Sequence, residues 1–290
     1  MSKLRKLFVL ISLLSFTILL NLPLHAQEAE KQAAEYGWQK GLVGNLNLTQ
    51  TQFDNWTQGG ENAFAWQLNI NGKALRDEEK YKWDNSGKVS YGQTKLADIE
   101  ARKSVDEIKL ESVFTYLLGV YVNPYVAASV ETQFTTGYEY GEDSKTDVSA
   151  FLDPGYFSQS VGLGYEPVKE FKTRLGFALH ETITSDHPVP YTDDPDTDEV
   201  EKTKVEPGLE SVTDFSKSLI GNILLTSKLE IFSNLKGVDQ VDVKWDNIFS
   251  AKMSRYIDVN FNIKFLYDRD SSEKRQLKQA LAVGLTYTFL

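Results

Sequence analysis

From residue 38 onward, apolar and polar side chains alternate with a period of two in one short segment after another, the spacing of an extended strand with one greasy and one polar face. Ile257, Val259, Phe261, Ile263, Phe265 and Tyr267 share one face of such a segment, and Asp258, Asn260, Asn262 and Lys264 the other. Phe64, Trp66, Leu68 and Ile70 alternate in the same way with Gln67, Asn69 and Asn71, and Leu175, Phe177 and Leu179 with Arg174, Gly176 and His180. The last segment sets Gln279, Leu281, Val283, Leu285, Tyr287 and Phe289 against Lys278, Ala280, Ala282, Gly284, Thr286 and Thr288. The pattern predicts twelve strands, at 38–48, 63–74, 81–91, 108–117, 124–136, 156–165, 171–183, 205–215, 219–232, 241–253, 257–267 and 278–290, of which the third and eighth carry the weakest alternation.

The connections between these strands alternate in length. Long ones surround 55–61, 93–106, 139–154, 185–204, 234–240 and 268–277, and short ones 76–80, 119–123, 166–170, 216–218 and 254–256. A water-soluble sandwich has no reason to sort its loops by parity, whereas outer-membrane barrels join strands by short turns on one side and longer loops on the other. The expected fold is therefore all-β: a single antiparallel transmembrane β-barrel of about twelve strands, closed by the first and last, with both termini at the short-turn, periplasmic end. Tyr81, Trp83, Tyr116, Tyr125, Tyr165, Tyr256, Tyr267 and Tyr287 fall near strand ends, where aromatic rings sit at lipid headgroups.

The first residues bear on the compartment. Lys3, Arg5 and Lys6 precede an almost wholly apolar stretch over 7–20, and Leu24-His25-Ala26 before Gln27 offers a cleavage point, the pattern of a secretory signal peptide. The expected organisation is a signal peptide at 1–26, a short N-terminal periplasmic segment at 27–37 and an outer-membrane barrel at 38–290. No later apolar run approaches the ~20 residues of a membrane helix, so a span has to be a closed sheet, which satisfies its own backbone polar groups. There is no cysteine, which excludes a disulfide framework and a thioether-linked lipid. The chain has 31 basic and 41 acidic residues; without Lys3, Arg5 and Lys6 the balance is 28 against 41, a charge of −13 that argues against nucleic acid as a partner.

Two stretches resemble known signatures. Gly284-Leu285-Thr286-Tyr287-Thr288-Phe289 resembles the C-terminal signal that outer-membrane barrels present to their assembly machinery, with Gly284, Tyr287 and Phe289 in the key places; Ala282 and the extra Leu290 depart from it. Phe53-Asp54-Asn55-Trp56-Thr57-Gln58-Gly59-Gly60-Glu61-Asn62 resembles the Phe-x-Asn-Trp-x-x-Gly-Gly-x-Asn signature of an uncharacterised family of Bacteroidetes-type bacteria, domain of unknown function 3078. Arg102-Lys103-Ser104-Val105-Asp106, Phe151-Leu152-Asp153-Pro154-Gly155-Tyr156 and Tyr267-Asp268 are similar to further blocks of that family. The resemblance implies an outer-membrane barrel and no particular reaction.

Candidate sites are few. In the first loop Asn55, Trp56, Gly59, Gly60 and Asn62 form either a turn element or a platform on which Trp56 stacks a small polar solute. Alternation puts Lys73, Lys109, Glu111, Glu131, Arg174, His180, Lys228, Glu230, Asp242, Lys244, Asp246, Asp258 and Lys264 on the lumen face, as ladders of ion pairs or as the lining of a small polar channel. Asp193, Asp194, Asp196 and Asp198 are a weak calcium candidate and more simply a solvated acidic loop. Twelve-stranded outer-membrane phospholipases use a histidine and a serine close in sequence; His180 and His187 do not match that arrangement, so no enzyme, metal or cofactor is expected. The expected role is a narrow channel or surface binder for a small polar solute, the alternatives being a non-conducting structural barrel acting through its loops and a soluble periplasmic ligand-binding barrel. The expected partners are outer-membrane lipid and, during biogenesis, the barrel assembly machinery.

Overall fold

A computed structural model describes residues 36–53, 60–141, 144–189, 191–194, 197–235, 241–267 and 274–289. The expected signal peptide and most of the segment that follows it lie outside the described residues, as do Asn55, Trp56, Gly59 and Asp196.

Twelve strands close into one antiparallel barrel: β1 (Gly37–Thr51), β2 (Ala63–Asp77), β3 (Tyr81–Leu96), β4 (Arg102–Tyr116), β5 (Val122–Thr132), β8 (Gly155–Val168), β9 (Phe171–Ile183), β10 (Thr203–Ser218), β11 (Ile223–Ser233), β12 (Val241–Lys252), β13 (Ile257–Tyr267) and β14 (Gln276–Thr288). Each pairs with its neighbour in sequence, and β14 pairs with β1. Two short strands, β6 (Gly137–Tyr140) and β7 (Lys145–Ser149), form a separate hairpin within the β5–β8 connection. All twelve predicted strands are present, and β1 begins and β14 ends at the end carrying the turns at 78–80, 117–121, 169–170, 219–222 and 253–256.

Three expectations need correction. The connection expected to be long at 93–106 is only 97–101, because β3 and β4 run on past a bulge at Gly92/Gln93; their polar ends carry no period-two signal. The 139–154 loop is partly the β6–β7 hairpin, whose strands are too short for alternation to reveal. Tyr125 does not face lipid: it points inward, 3% exposed, over the facing pair Gly162↔Gly176, and a Cβ on either glycine would collide with the opposite backbone. Two glycines with a tyrosine laid across them let β8 and β9 approach closely.

The apolar residues are on the outside. Among the described residues Tyr125, Ala178, Val212 and Phe232 make up the buried hydrophobic set, whereas Leu110, Val126, Val161, Leu175, Phe177, Leu281 and Val283 are exposed on strand exteriors, Phe177 to 70% and Leu281 to 71%. A water-soluble protein rarely leaves so large a contiguous apolar surface uncovered.

Candidate functional site

The inward faces build a charged belt across the lumen. Lys109 on β4 donates to Glu230 on β11 at 2.9 Å and lies 3.7 Å from Glu131 on β5. Four strands separate β4 from β11 one way round the barrel and six the other, so this bond spans it nearly wall to wall. Glu111 receives Lys228 at 2.6 Å and also Arg174 from β9. Lys228 approaches Glu230 at 3.4 Å, and Lys244 on β12 reaches back to Glu131 at 3.8 Å. These side chains are only 12–42% exposed, so each charge is partly desolvated and needs its partners. A barrel of twelve strands is narrow enough for long side chains to bridge, where sixteen or more leave an open channel.

Below the belt, towards the short turns, lies a cavity of about 650 Å³. It is lined by ten of the expected lumen residues, Lys73, Lys109, Glu111, Glu131, Arg174, Lys228, Glu230, Lys244, Asp246 and Lys264, and reaches the turn residues Leu117, Lys169 and Glu170. Asp242 and Asp258 share the inward face, opposite Phe232 and Gly284, but lie outside this lining. The remaining expected residue, His180, is above the belt: its Nε2 lies 3.2 Å from Glu210, its ring stacks on Phe232 with centroids 3.7 Å apart, and Ser158 and Ser160 donate to the same carboxylate at 3.3 and 3.1 Å. Sequence reading missed Glu210, Asp214, Asp84, Lys88, Glu107 and Lys172. Asp84 takes Lys73 at 3.1 Å and Lys172 at 3.7 Å, and Glu107 takes Lys88 at 2.9 Å. The signal was there in their parity, Asp84 and Lys88 with Ser86, and Glu210 and Asp214 with Val212, on the two strands where alternation was weakest.

The opposite wall differs in kind. Near the junction of the first and last strands, inward positions of β1 and β14 are mostly amides, hydroxyls and small residues, with the charges Lys73, Asp258, Lys264 and Lys278 set around them on β2, β13 and β14. Asn45 donates to Thr286 at 2.8 Å, and Gln67 donates to Asn69 at 2.7 Å. The Oδ1 of Asn47 is buried over Gly284 without a hydrogen-bond partner. Of the expected assembly signal, Tyr287 and Phe289 are exposed on the exterior with rings edge-to-face at 4.8 Å.

At the long-loop end two buried carboxylates organise the connections. Asp106 accepts the N–H groups of Phe134 and Thr135 at 2.7 and 2.9 Å, the Thr135 hydroxyl at 2.7 Å and Lys103 at 3.1 Å. Asp153 accepts the N–H groups of Ser185 and Asp186 at 2.8 and 2.9 Å and the His187 ring at 2.7 Å, while the other side of that ring lies 3.3 Å from Asp147. Burial alone would raise the Asp153 pKa, but the N–H donors and His187 together hold it below the usual carboxylate value; its bonds to Asp153 and Asp147 push His187 above the usual imidazole value. In the first loop Asn62 Oδ1 accepts the Phe53 N–H at 2.7 Å, and Gly60, at φ +136°, sits against the Phe53 ring. Gly60 and Asn62, at the described end of this loop, thus brace the chain against Phe53. Of the acidic 193–198 stretch, Asp194 donates its N–H to Glu201 at 3.0 Å, and among the described residues no three acidic or histidine side chains are grouped to hold a metal.

Residues 48–138 match the model of a protein family of unknown function, DUF3078. The match takes in the first-loop motif and 102–106, and ends before the Asp153 block. No curated protein matches the chain. Among solved structures the chain is similar to the translocator domain of the autotransporter NalP from Neisseria meningitidis, at 10% identity over 88% of this chain and 90% of that one with a TM-score of 0.39. It is also similar to an outer membrane channel from Pseudomonas putida F1, at 11% identity over 90% and 99% with a TM-score of 0.41.

Proposed function

We propose that the protein is an outer-membrane barrel that holds a small polar solute in a half-lumen open at the periplasmic end, and that it passes no ions freely at rest. The observation that carries this reading is the Lys109–Glu230 bond, joined to the Glu111, Arg174 and Lys228 cluster, which ties strands on facing sides of the lumen. The exterior supports lipid as the covering: the apolar residues point outward, as a membrane demands and water penalises. In this reading the chain is exported by the signal peptide at 1–26, assembled by the barrel machinery and left with both termini in the periplasm. In this reading it is not a hydrolase: Glu210 holds His180 and two aspartates hold His187, and among the described residues neither imidazole has a serine as its hydrogen-bond partner.

Conductance in planar bilayers tests the closed belt. Wild-type protein should give no steps, and Lys109→Ala combined with Glu230→Ala should introduce them. Steps from wild-type protein would favour the second reading, a narrow channel past the belt along the amide-rich inner face of β1 and β2.

A further inference from the structure

Strands β11 to β14 carry their outward side chains in rows set by the ladder register. Gln279, Ile263, Asn247 and Ser227 form one such row. The row above it is Leu277, Phe265, Trp245 and Leu229. The row below is Leu281, Phe261, Phe249 and Leu225. Tyr267 and Val243 lie higher still, and Val283 and Val259 lower. Two carboxamides and a hydroxyl therefore stand halfway up a face that is otherwise apolar and bears no charge on these strands.

A repeated tetrapeptide gives this row an internal control. Lys-Trp-Asp-Asn occurs at 82–85 and again at 244–247, each time with the tryptophan and the asparagine outward. In the first, Trp83 donates its indole N–H to Ser112 at 2.9 Å and the Ser112 hydroxyl donates to Asn85 Oδ1 at 2.8 Å. Asn85 Nδ2 then donates to the Ala74 carbonyl at 3.4 Å, which closes the chain of bonds. In the second, Trp245 donates to Ser227 at 3.0 Å and Ser227 to Asn247 Oδ1 at 2.8 Å. There Ile263 stands where Ala74 stands in the first, and among the described residues Asn247 Nδ2 donates to nothing. Gln279, exposed on the far side of Ile263, has no hydrogen-bond partner among the described residues. Beside it lies the seam between β1 and β14, whose ladder stops at Asn47↔Gly284, so the upper part of β14 pairs with β13 alone.

Hydrocarbon offers neither donor nor acceptor, so amides held at this depth are costly until another protein surface meets them. The partner has to bring both functions to mid-height on an apolar, uncharged ground. A carboxamide is its own complement, since it accepts through oxygen and donates through nitrogen. A second copy turned about a two-fold axis along the membrane normal brings the same groups to the same height. The chain's net charge of −10 would hold copies apart, but none of it lies on this face. We propose that the outward face of β12 to β14 is the interface of a homodimer within the membrane, centred near Ile263, with the Asn247 and Gln279 amides of each copy hydrogen-bonded to the other. The proposal rests on the membrane reading, and it does not depend on whether the belt conducts.

The test uses single cysteines, which a chain without any of its own accepts cleanly. Ile263→Cys, Phe261→Cys and Phe265→Cys, each in the full chain in membranes of the expressing cell, are oxidised with copper phenanthroline. Leu110→Cys on β4 and Phe177→Cys on β9, exposed on the exterior away from this face, are treated alongside. The expected result is a band at twice the chain mass, lost on reduction, from at least one of the first three and from neither of the last two. Asn247→Leu combined with Gln279→Leu in the same background should lower that band about tenfold, with the heat-dependent shift in gel migration showing that the barrel is folded. Where that variant does not fold, the same two positions changed to alanine serve instead. No band above the two remote positions overturns the interface. A cross-linked band at another mass overturns the second copy as the occupant, and a band undiminished without the amides overturns their part in it. Cysteine variants left in the supernatant when membranes are sedimented without detergent would instead sink the membrane reading, so the two failures are told apart.

Discussion

The wall made by β4, β5 and β9 to β12 and the wall around the β1–β14 junction share an exterior and differ inside. The first is held by charge that reaches across the lumen: Glu111, Glu131 and Glu230 each take cations from other strands. The second is held by neighbouring amides and hydroxyls, Asn45 with Thr286 and Gln67 with Asn69, and its backbone ladder is incomplete. Charge braces at a distance because Coulomb attraction outlasts contact range in a poorly solvated space, whereas an amide hydrogen bond acts only on what it touches. Long-range bracing and local bonding thereby fall on different sides of one barrel.

Breaking the braced side should have the largest effect. Glu111→Ala leaves Arg174 and Lys228 facing each other without their shared carboxylate, and a loss of about 3–5 kcal/mol is expected, read as a lower temperature for the heat-dependent shift in gel migration. The exterior is where the two walls should behave alike. Phe261→Arg on the seam side and Phe177→Arg on the braced side should each cost about 2–4 kcal/mol in assembly, with Asn260→Arg, on the inward face, tolerated. Equal tolerance at positions 260 and 261 would mean the faces are reversed. Gly176→Ala, which pushes a methyl into the β8 backbone beneath Tyr125, should cost about 1–3 kcal/mol by the same gel assay. At the seam, removing the spare acceptor by Asn47→Ala should change stability by less than about 1 kcal/mol. A cost there as large as that of Glu111→Ala would erase the distinction between the walls.

The loops add a pH-dependent sharpening. The His187 pKa is raised in the fold, so its contribution is complete below its ordinary value of 6.5 and is lost as pH climbs through the raised value. The Asp153 pKa is lowered, so its contribution is complete above its ordinary 3.8 and is lost as pH falls through the depressed value. Between 3.8 and 6.5 both are in force, and proteolytic nicking at 184–202 should be slowest there. His187→Gln should remove the alkaline limb of that profile and leave the acidic one. An unchanged profile would show that the ring does not hold the loops.

The strands and faces were legible because lipid outside and water or charge inside impose a strict period of two, as Ile257 to Tyr267 shows. The ion-pair belt was legible only as a set of inward charges. Which cation meets which carboxylate depends on how far round the barrel β4 lies from β11, and closure geometry of that kind leaves no mark in local sequence. The β6–β7 hairpin escaped for a simpler reason: Gly137–Tyr140 is one alternation and a half long. Asp106 and Asp153 stood out only as members of recurring motifs, and nothing in their neighbours' spacing announces that they collect backbone N–H groups from a different loop.

Those two carboxylates have a consequence for how such a surface varies. Each fastens main-chain amides, which every residue but proline owns, so the segments they hold can exchange most side chains and keep their course. A chain without cysteine thereby gains the cross-tying that others obtain from oxidised thiols, while the side chains along the fastened segments stay free to vary.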